Sequence, residues 1–308
     1  VKPAHLALLV LAVTGCGSEL PVLPEASPPP LPRVIPVVAA AGDISCAPTS
    51  RAACRQMDTA LALEYARPDV VLALGDTQYE AGELANFNRM YAPSWGRFKT
   101  ITRPVVGNHE YYTPGASGYF DYFNGPNQLT GPAGDRRRGY YSYHLGAWNV
   151  IALNSNCREV GGCHLGSPQE LFLRQALANS DAICTLAYFH HPLFSSGVNR
   201  GSPEVRPLWQ TLYDFRADLV LNGHEHVYER FEPQTPQGVP DQRGILQITV
   251  GTGGHSLTPF REIVRTSEVR KNDDYGVLRL ELHPDQVTWE FIPAPGGTFH
   301  DSGSLRCH

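Results

Sequence analysis

The feature that most constrains this chain is a set of five short polar stretches, each ending an apolar run. They are Gly42-Asp43, Gly75-Asp76-Thr77-Gln78-Tyr79, Gly107-Asn108-His109-Glu110, His190-His191-Pro192 and Gly223-His224-Glu225-His226. Continuous apolar runs at residues 34–41, 70–74, 184–189 and 219–222 alternate with helical patterns at 52–65, 84–91, 168–179 and 208–216. That alternation indicates strands of a mostly parallel sheet buried on both faces. Residues 140–145 and 148–154 read as an antiparallel pair turning at Gly146-Ala147, and 245–250, 277–283 and 287–292 as further strands rich in β-branched and aromatic residues. The expected fold is α/β, a four-layer α/β/β/α sandwich of two facing mixed sheets. Every polar stretch then falls on a loop after a strand, where open α/β sheets bind ligands.

The stretches supply Asp43, Asp76, Tyr79, Asn108, His190, His224 and His226 as candidate ligands, with His109 and His191 beside them. A nitrogen and oxygen donor set without cysteine suits two adjacent cations of the zinc, manganese or iron type. His224 and His226 are two residues apart, so in extended backbone they share one face. A formal charge of -5 argues against a nucleic-acid partner. It leaves room for a small phosphorylated substrate, because two cations supply the local positive charge.

Residues 1–15 have the layout of a secretory signal, with an eight-residue apolar run at 6–13 that is too short to span a bilayer. Val13-Thr14-Gly15-Cys16 resembles a bacterial lipobox, which makes Cys16 the expected lipid attachment and an anchor the only expected membrane contact. Residues 16–33 form a Pro-rich linker, and 34–308 the catalytic domain. Removing Cys16 from the seven cysteines leaves six, an even set that favours disulfides in an exported chain, with 15 connectivities. Cys46–Cys54 and Cys157–Cys163 each close a short polar loop, and Cys184–Cys307 follows by elimination. The expected location is the bacterial cell envelope or the exterior.

The ordered stretches, separated by 33 residues from Asp43 to Asp76, 32 from Asp76 to Asn108 and 34 from His190 to His224, resemble the calcineurin-type metallophosphoesterase superfamily. Within it they look most like the purple acid phosphatases. The resemblance implies that Asp76 bridges two metals, Asp43 and His226 complete one, and Asn108, His190 and His224 complete the other. Many superfamily members carry His two residues after the first Asp. Here that position is Ser45, and Tyr79 replaces the lost donor as in purple acid phosphatases, which usually have Gly at the position of Ser45. A packing aromatic is the other reading of Tyr79.

The resemblance also makes His190 the ligand of its pair and leaves His191 behind it or at the rim. His109 is the leading general acid, or else an imidazole that fixes its loop. Glu110 either orients His109 or caps the next turn. The loop Gly251-Thr252-Gly253-Gly254-His255 is a phosphate cradle or a plain turn, with His255 near the metals. Arg230 is an ion-pair partner or a substrate clamp. The implied chemistry is phosphate monoester hydrolysis through a metal-bound hydroxide, using Fe(III) with Fe(II), Zn(II) or Mn(II). The alternatives are a phosphodiesterase acting on nucleotides or lipid head groups, and an inactive binding protein that keeps the fold.

Overall fold

A computed structural model describes Val1 and residues 35–50 and 54–308. The expectations for the signal, for Cys16 and for the Pro-rich linker at 16–33 lie outside the described residues. The apolar runs become strands of two sheets. One holds β1 (Val37–Ala41), β2 (Val70–Ala73), β10 (Gly276–Leu282), β11 (Gln286–Pro293) and β12 (Ser302–Arg306), in the order β12-β11-β10-β1-β2. The other holds β3 (Tyr141–Leu145), β4 (Trp148–Ala152), β5 (Cys184–Tyr188), β6 (Leu219–Asn222), β7 (Tyr228–Phe231), β8 (Leu246–Val250) and β9 (Ser267–Lys271), ordered β3-β4-β5-β6-β8-β7-β9.

Both sheets are mixed. In the second, β4, β5, β6 and β8 are parallel. In the first only β1 and β2 are parallel, because the C-terminal strands enter as antiparallel hairpin partners. A mostly parallel reading therefore holds only for the second sheet's centre.

Period-two alternation sorts the second sheet's side chains between two cores. Val150, Ala152, Leu186, Tyr188, Leu219 and Leu221 join the core that also takes the first sheet's Val38, Leu72 and Leu278. Their neighbours Ile151, Leu153, Ala187, Phe189 and Val220 pack outward with Leu173, Leu177, Trp209 and Leu212. Those last four belong to α4 (Pro168–Ala178) and α5 (Arg206–Asp214). Ser167 caps α4 by accepting the Glu170 N–H, and Pro168 occupies its first turn. On the other side α1 (Gln56–Ala66) packs against β10 and β11, completing four layers.

The helical pattern at 84–91 is a three-residue helix, α2 (Leu84–Asn86), that widens into a π-turn at Phe87–Tyr91. Its rings stack with those of α3 (Ser117–Asn124), Phe87 on Tyr122 at 4.9 Å. Three disulfides form: Cys46–Cys54, Cys157–Cys163 and Cys184–Cys307. The last ties the C-terminus to the start of β5.

Glu110 fixes the loop that follows β2. Its buried carboxylate accepts the backbone N–H groups of Asp76 (3.0 Å), Thr77 (2.8 Å), Gln78 (3.2 Å) and Gly107 (2.7 Å), and the Thr77 hydroxyl (2.9 Å). It neither orients the His109 ring nor caps the turn after it, since both oxygens face backward onto these amides. Burial and then the charge of Asp76 push its pKa up to about 7, against the pull of the amides. Glu110→Ala orphans four buried backbone N–H groups and the Thr77 hydroxyl, and we expect it to cost about 3 kcal/mol or more in urea unfolding. A change below about 1 kcal/mol would contradict the clamp.

Candidate metal centre

Asp43, Asp76 and His224 each follow a strand of the described fold, and each has a positive φ, 59°, 44° and 72°. This left-handed backbone is rare outside glycine and marks constrained functional positions. The neighbouring glycines leave the ligands room. A Cβ on Gly107 would lie 2.1 Å from Asp76 Oδ1, and one on Gly75, itself at φ 86°, would lie 2.6 Å from His190 Nδ1. These spacings are too short for any side chain, so the donors occupy the space that a Cβ would fill.

The donors converge on two points. Around the Tyr79 hydroxyl stand Asp43 Oδ1 at 2.8 Å, Asp76 Oδ2 at 3.0 Å and His226 Nε2 at 3.0 Å. Around His190 Nε2 stand Asn108 Oδ1 at 3.2 Å, His224 Nδ1 at 3.2 Å and Asp76 Oδ2 at 3.2 Å. Asp76 Oδ2 belongs to both. A phenol has one proton and a neutral imidazole one N–H, so neither can satisfy three lone-pair donors at once.

Cations fit this set. His190 Nδ1 lies 2.9 Å from the Leu74 carbonyl, and His226 Nδ1 lies 2.6 Å from that of Ser256. Each Nδ1–H donates to its carbonyl, which turns Nε2 toward the carboxylates and leaves it, once deprotonated, free to ligate a cation, the usual arrangement behind a metal-ligating histidine. Asp43, Asp76 and His190 place one ligand atom each within 4.8 Å of one another.

The electrostatics agree. Burial alone would push both carboxyls up, but His226 and His190 beside Asp43, and His190 and His109 beside Asp76, hold them below the usual carboxylate range. Burial likewise pulls His190 and His226 down, yet Asp76 and Asp43 carry them up to about 9. His224 goes to about 4 through burial and the charge of His190. Burial and then Asp43 and Asp76 push the Tyr79 phenol well above its ordinary value. Protons on imidazole thus stand where positive charge is required.

His109 lies over this centre. Its backbone N–H donates to Asp76 Oδ1 at 2.9 Å, and its Nδ1 lies 2.6 Å from the Glu80 carbonyl. That contact turns Nε2 inward, 3.9 Å from Asp76 Oδ2. The ring packs between Tyr79 at 4.3 Å and Tyr112 at 4.7 Å. His191 contacts the Ser155 hydroxyl through Nδ1 at 2.8 Å, and its ring lies 4.3 Å from that of His224. His255 stacks on Tyr79 at 3.9 Å.

Other positions settle away from the donors. Gly251 and Gly253 donate their N–H groups to Val227 and Gly42, and His255 donates its own to Asp43. Those amides are therefore committed to the backbone, and the loop works as a staple. Arg230 pairs with Asp301 at 2.9 Å and with Glu268, over the ring of Trp289. Ser45 fits its turn through its own backbone, donating to Thr77 and accepting from Tyr79.

Sequence reading passed over Ser155, Tyr112 and the carbonyls of Leu74, Glu80 and Ser256. Carbonyls leave no trace in residue type. Asn154-Ser155-Asn156 did leave one, as a sixth polar stretch closing an apolar run, but it lacks a glycine or histidine.

The sequence profile of the family "Calcineurin-like phosphoesterase" matches residues 37–228, well over half of the chain. A nucleotide pyrophosphatase/phosphodiesterase of Hordeum vulgare is 23% identical over 77% of this chain and 72% of its own length. An Arabidopsis thaliana protein named "Probable inactive purple acid phosphatase 1" is 23% identical over 78% of this chain and 43% of its own. The structure of a purple acid phosphatase from yellow lupin (Lupinus luteus) seeds superimposes with a TM-score of 0.72 at 20% identity, over 89% of this chain and 54% of that one. The chain thus spans about half or less of the length of the latter two. Fold, profile and donor geometry agree: the chain belongs to the calcineurin-like phosphoesterase family, with a purple acid phosphatase among its similar structures.

Proposed function

We propose that this protein hydrolyses phosphate monoesters at a binuclear metal centre in the manner of an acid phosphatase. The observation that carries the reading is the pair of donor clusters sharing Asp76 Oδ2. Asp76 would bridge, with Asp43, Tyr79 and His226 on one cation and Asn108, His190 and His224 on the other. Tyr79, as a phenolate, is a hard anionic donor that favours Fe(III). The histidine-rich second set suits Fe(II), Zn(II) or Mn(II). Two such cations would supply Lewis acidity and lower the pKa of a bound water to about 7.

The chain's own residues do the rest. The carbonyls of Leu74 and Ser256 fix the tautomers of His190 and His226, and Asn108 donates an amide oxygen without adding charge. His109 points Nε2 toward the centre, where it would deliver a proton to a leaving alkoxide, while the Glu80 carbonyl holds its other nitrogen. The three disulfides suit an oxidising compartment, in keeping with export and with a lipid anchor at Cys16. A cleft beside Asn108 and His191 has room for a second ester group, which keeps a phosphodiesterase as the alternative, and the barley relative is named for that activity. The inactive reading draws on the Arabidopsis relative's name, but it leaves the complete donor set without a purpose.

Metal-loaded protein should turn over an aryl phosphate monoester at least about tenfold faster than its bis-ester, as compared by kcat/KM. The reverse order would make the protein a diesterase, and no turnover of either would favour the binding protein. Metal analysis should find about two ions per chain, with a visible absorption band if Fe(III) meets Tyr79. Tyr79→Phe should remove that band while the far-ultraviolet circular dichroism stays native, and an unchanged band would strike Tyr79 from the ligands. His109→Ala should lower kcat by about 100-fold for alkyl phosphates and far less for activated aryl phosphates. Equal losses for the two would exclude the acid role.

A further inference from the structure

The metal centre opens on one side into a cleft of about 590 Å³, within the range of roughly 300–1,000 Å³ typical of small-molecule sites. Its inner end is Asn108 and His191. Its walls come from three loops that share no sequence: Tyr111 and Tyr112, the stretch from Ser155 to Glu159, and Gly201 to Glu204. The Cys157–Cys163 disulfide closes the second loop into a short ring. The Tyr111 hydroxyl accepts a hydrogen bond from Asn154 Nδ2 at 2.9 Å, which holds that wall in place.

Two observations say what the cleft accepts. Tyr112 is 64% exposed although it is a large ring, and its covered side lies against His109. The flat surface it leaves open therefore begins beside the ring of His109, the proposed acid. The charges on the walls are those of Arg158, Glu159 and Glu204, one guanidinium against two carboxylates. Arg158 Nη2 is also 3.9 Å from Glu204 Oε1, so its charge is already partly matched. An anionic group entering here would meet a net negative wall, whereas an uncharged ring meets tyrosine, amide and hydroxyl surface. Aromatic faces of this kind contribute most to flat ligands.

We propose that this cleft seats the leaving alcohol of the ester, and that it selects uncharged leaving groups carrying a flat ring, such as a nucleoside or a phenol. The direction of departure rests on the hydrolase reading above. The ring binding does not, because it needs no cation.

Two measurements test the proposal. In the first, adenosine, phenol and glycerol are titrated into chelator-stripped protein and followed by saturation-transfer NMR. One or both ring compounds should bind measurably where glycerol does not, and their order identifies nucleoside or phenol as the better fit. Tyr112→Ala should weaken that binding about tenfold, and so should Ser202→Trp, which fills the cleft from a different loop. In the second, metal-loaded protein should prefer phenyl phosphate to 4-carboxyphenyl phosphate in kcat/KM. The double variant Glu159→Gln, Glu204→Gln should narrow that preference by about threefold, the scale of exposed charge interactions.

Rings that bind no better than glycerol, or binding that both cleft variants leave untouched, would overturn the proposal while ester hydrolysis survives. Ring binding without hydrolysis of any ester by loaded protein would instead sink the hydrolase reading, and the leaving-group role with it.

Discussion

Two fully buried carboxylates, Asp43 and Asp76, converge on a single phenol oxygen, and the rest of the site follows from how that negative charge is balanced. Charge in a low-dielectric interior is costly unless it is met by opposite charge and hydrogen bonds. Here the partners are imidazoles. The two carboxylates raise His190 and His226 far above their ordinary pKa, so the apoprotein holds protons where a cation-loaded protein would hold metal. Asp76 also accepts the backbone N–H of His109, so the same group that would bind the proposed cations places the proposed acid.

Such a site needs a rigid frame, because its donors lie on five loops spread from Asp43 to His226. Parallel strands supply the convergence, since β1, β2, β5 and β6 all end toward the centre. Buried glutamates supply the rigidity. Glu110 gathers the amides after β2 together with Gly107. Glu229 does the same farther out, accepting the Ser196 N–H at 2.9 Å and the Ser267 hydroxyl at 2.5 Å. Glu225, between His224 and His226, is fully buried with its carboxylate against Gly197 but gathers no comparable set of donors. Asp43 and Asp76 thus face the centre, while Glu110 and Glu229 hold loops around it.

The strands that sequence reading passed over have a common cause. β7 reads Tyr-Glu-Arg-Phe, β9 Ser-Glu-Val-Arg-Lys and β12 Ser-Gly-Ser-Leu-Arg. The last two are sheet edges, and β9 and β12 alternate between partly covered and exposed residues. Edge strands carry polar and charged residues that discourage pairing with other chains, so they lack the apolar signature of central strands. Tyr228, Glu229 and Arg230 of β7 were legible only as a motif tail, because their partners Asp301, Ser196 and Glu268 lie far off in sequence. The run at 84–91 misled for a different reason, since its rings pack into α3 and widen the helix.

The sequence by itself determined the strand–loop rhythm, the donor types and the cysteine parity, because each is a local property of residue identity and spacing. It named Asp43, Asp76, Tyr79, Asn108, His190, His224 and His226 as one set, since polar residues at the ends of buried strands have few other reasons to be there. Only the tertiary structure decided that Asp76 Oδ2 stands in both donor clusters, that Glu110 is a clamp, that the glycine loop is a staple and that Arg230 faces Asp301. It alone revealed the cleft beside Asn108 and His191. Those outcomes depend on carbonyl directions and on side chains from remote strands, and a linear order of residues carries neither.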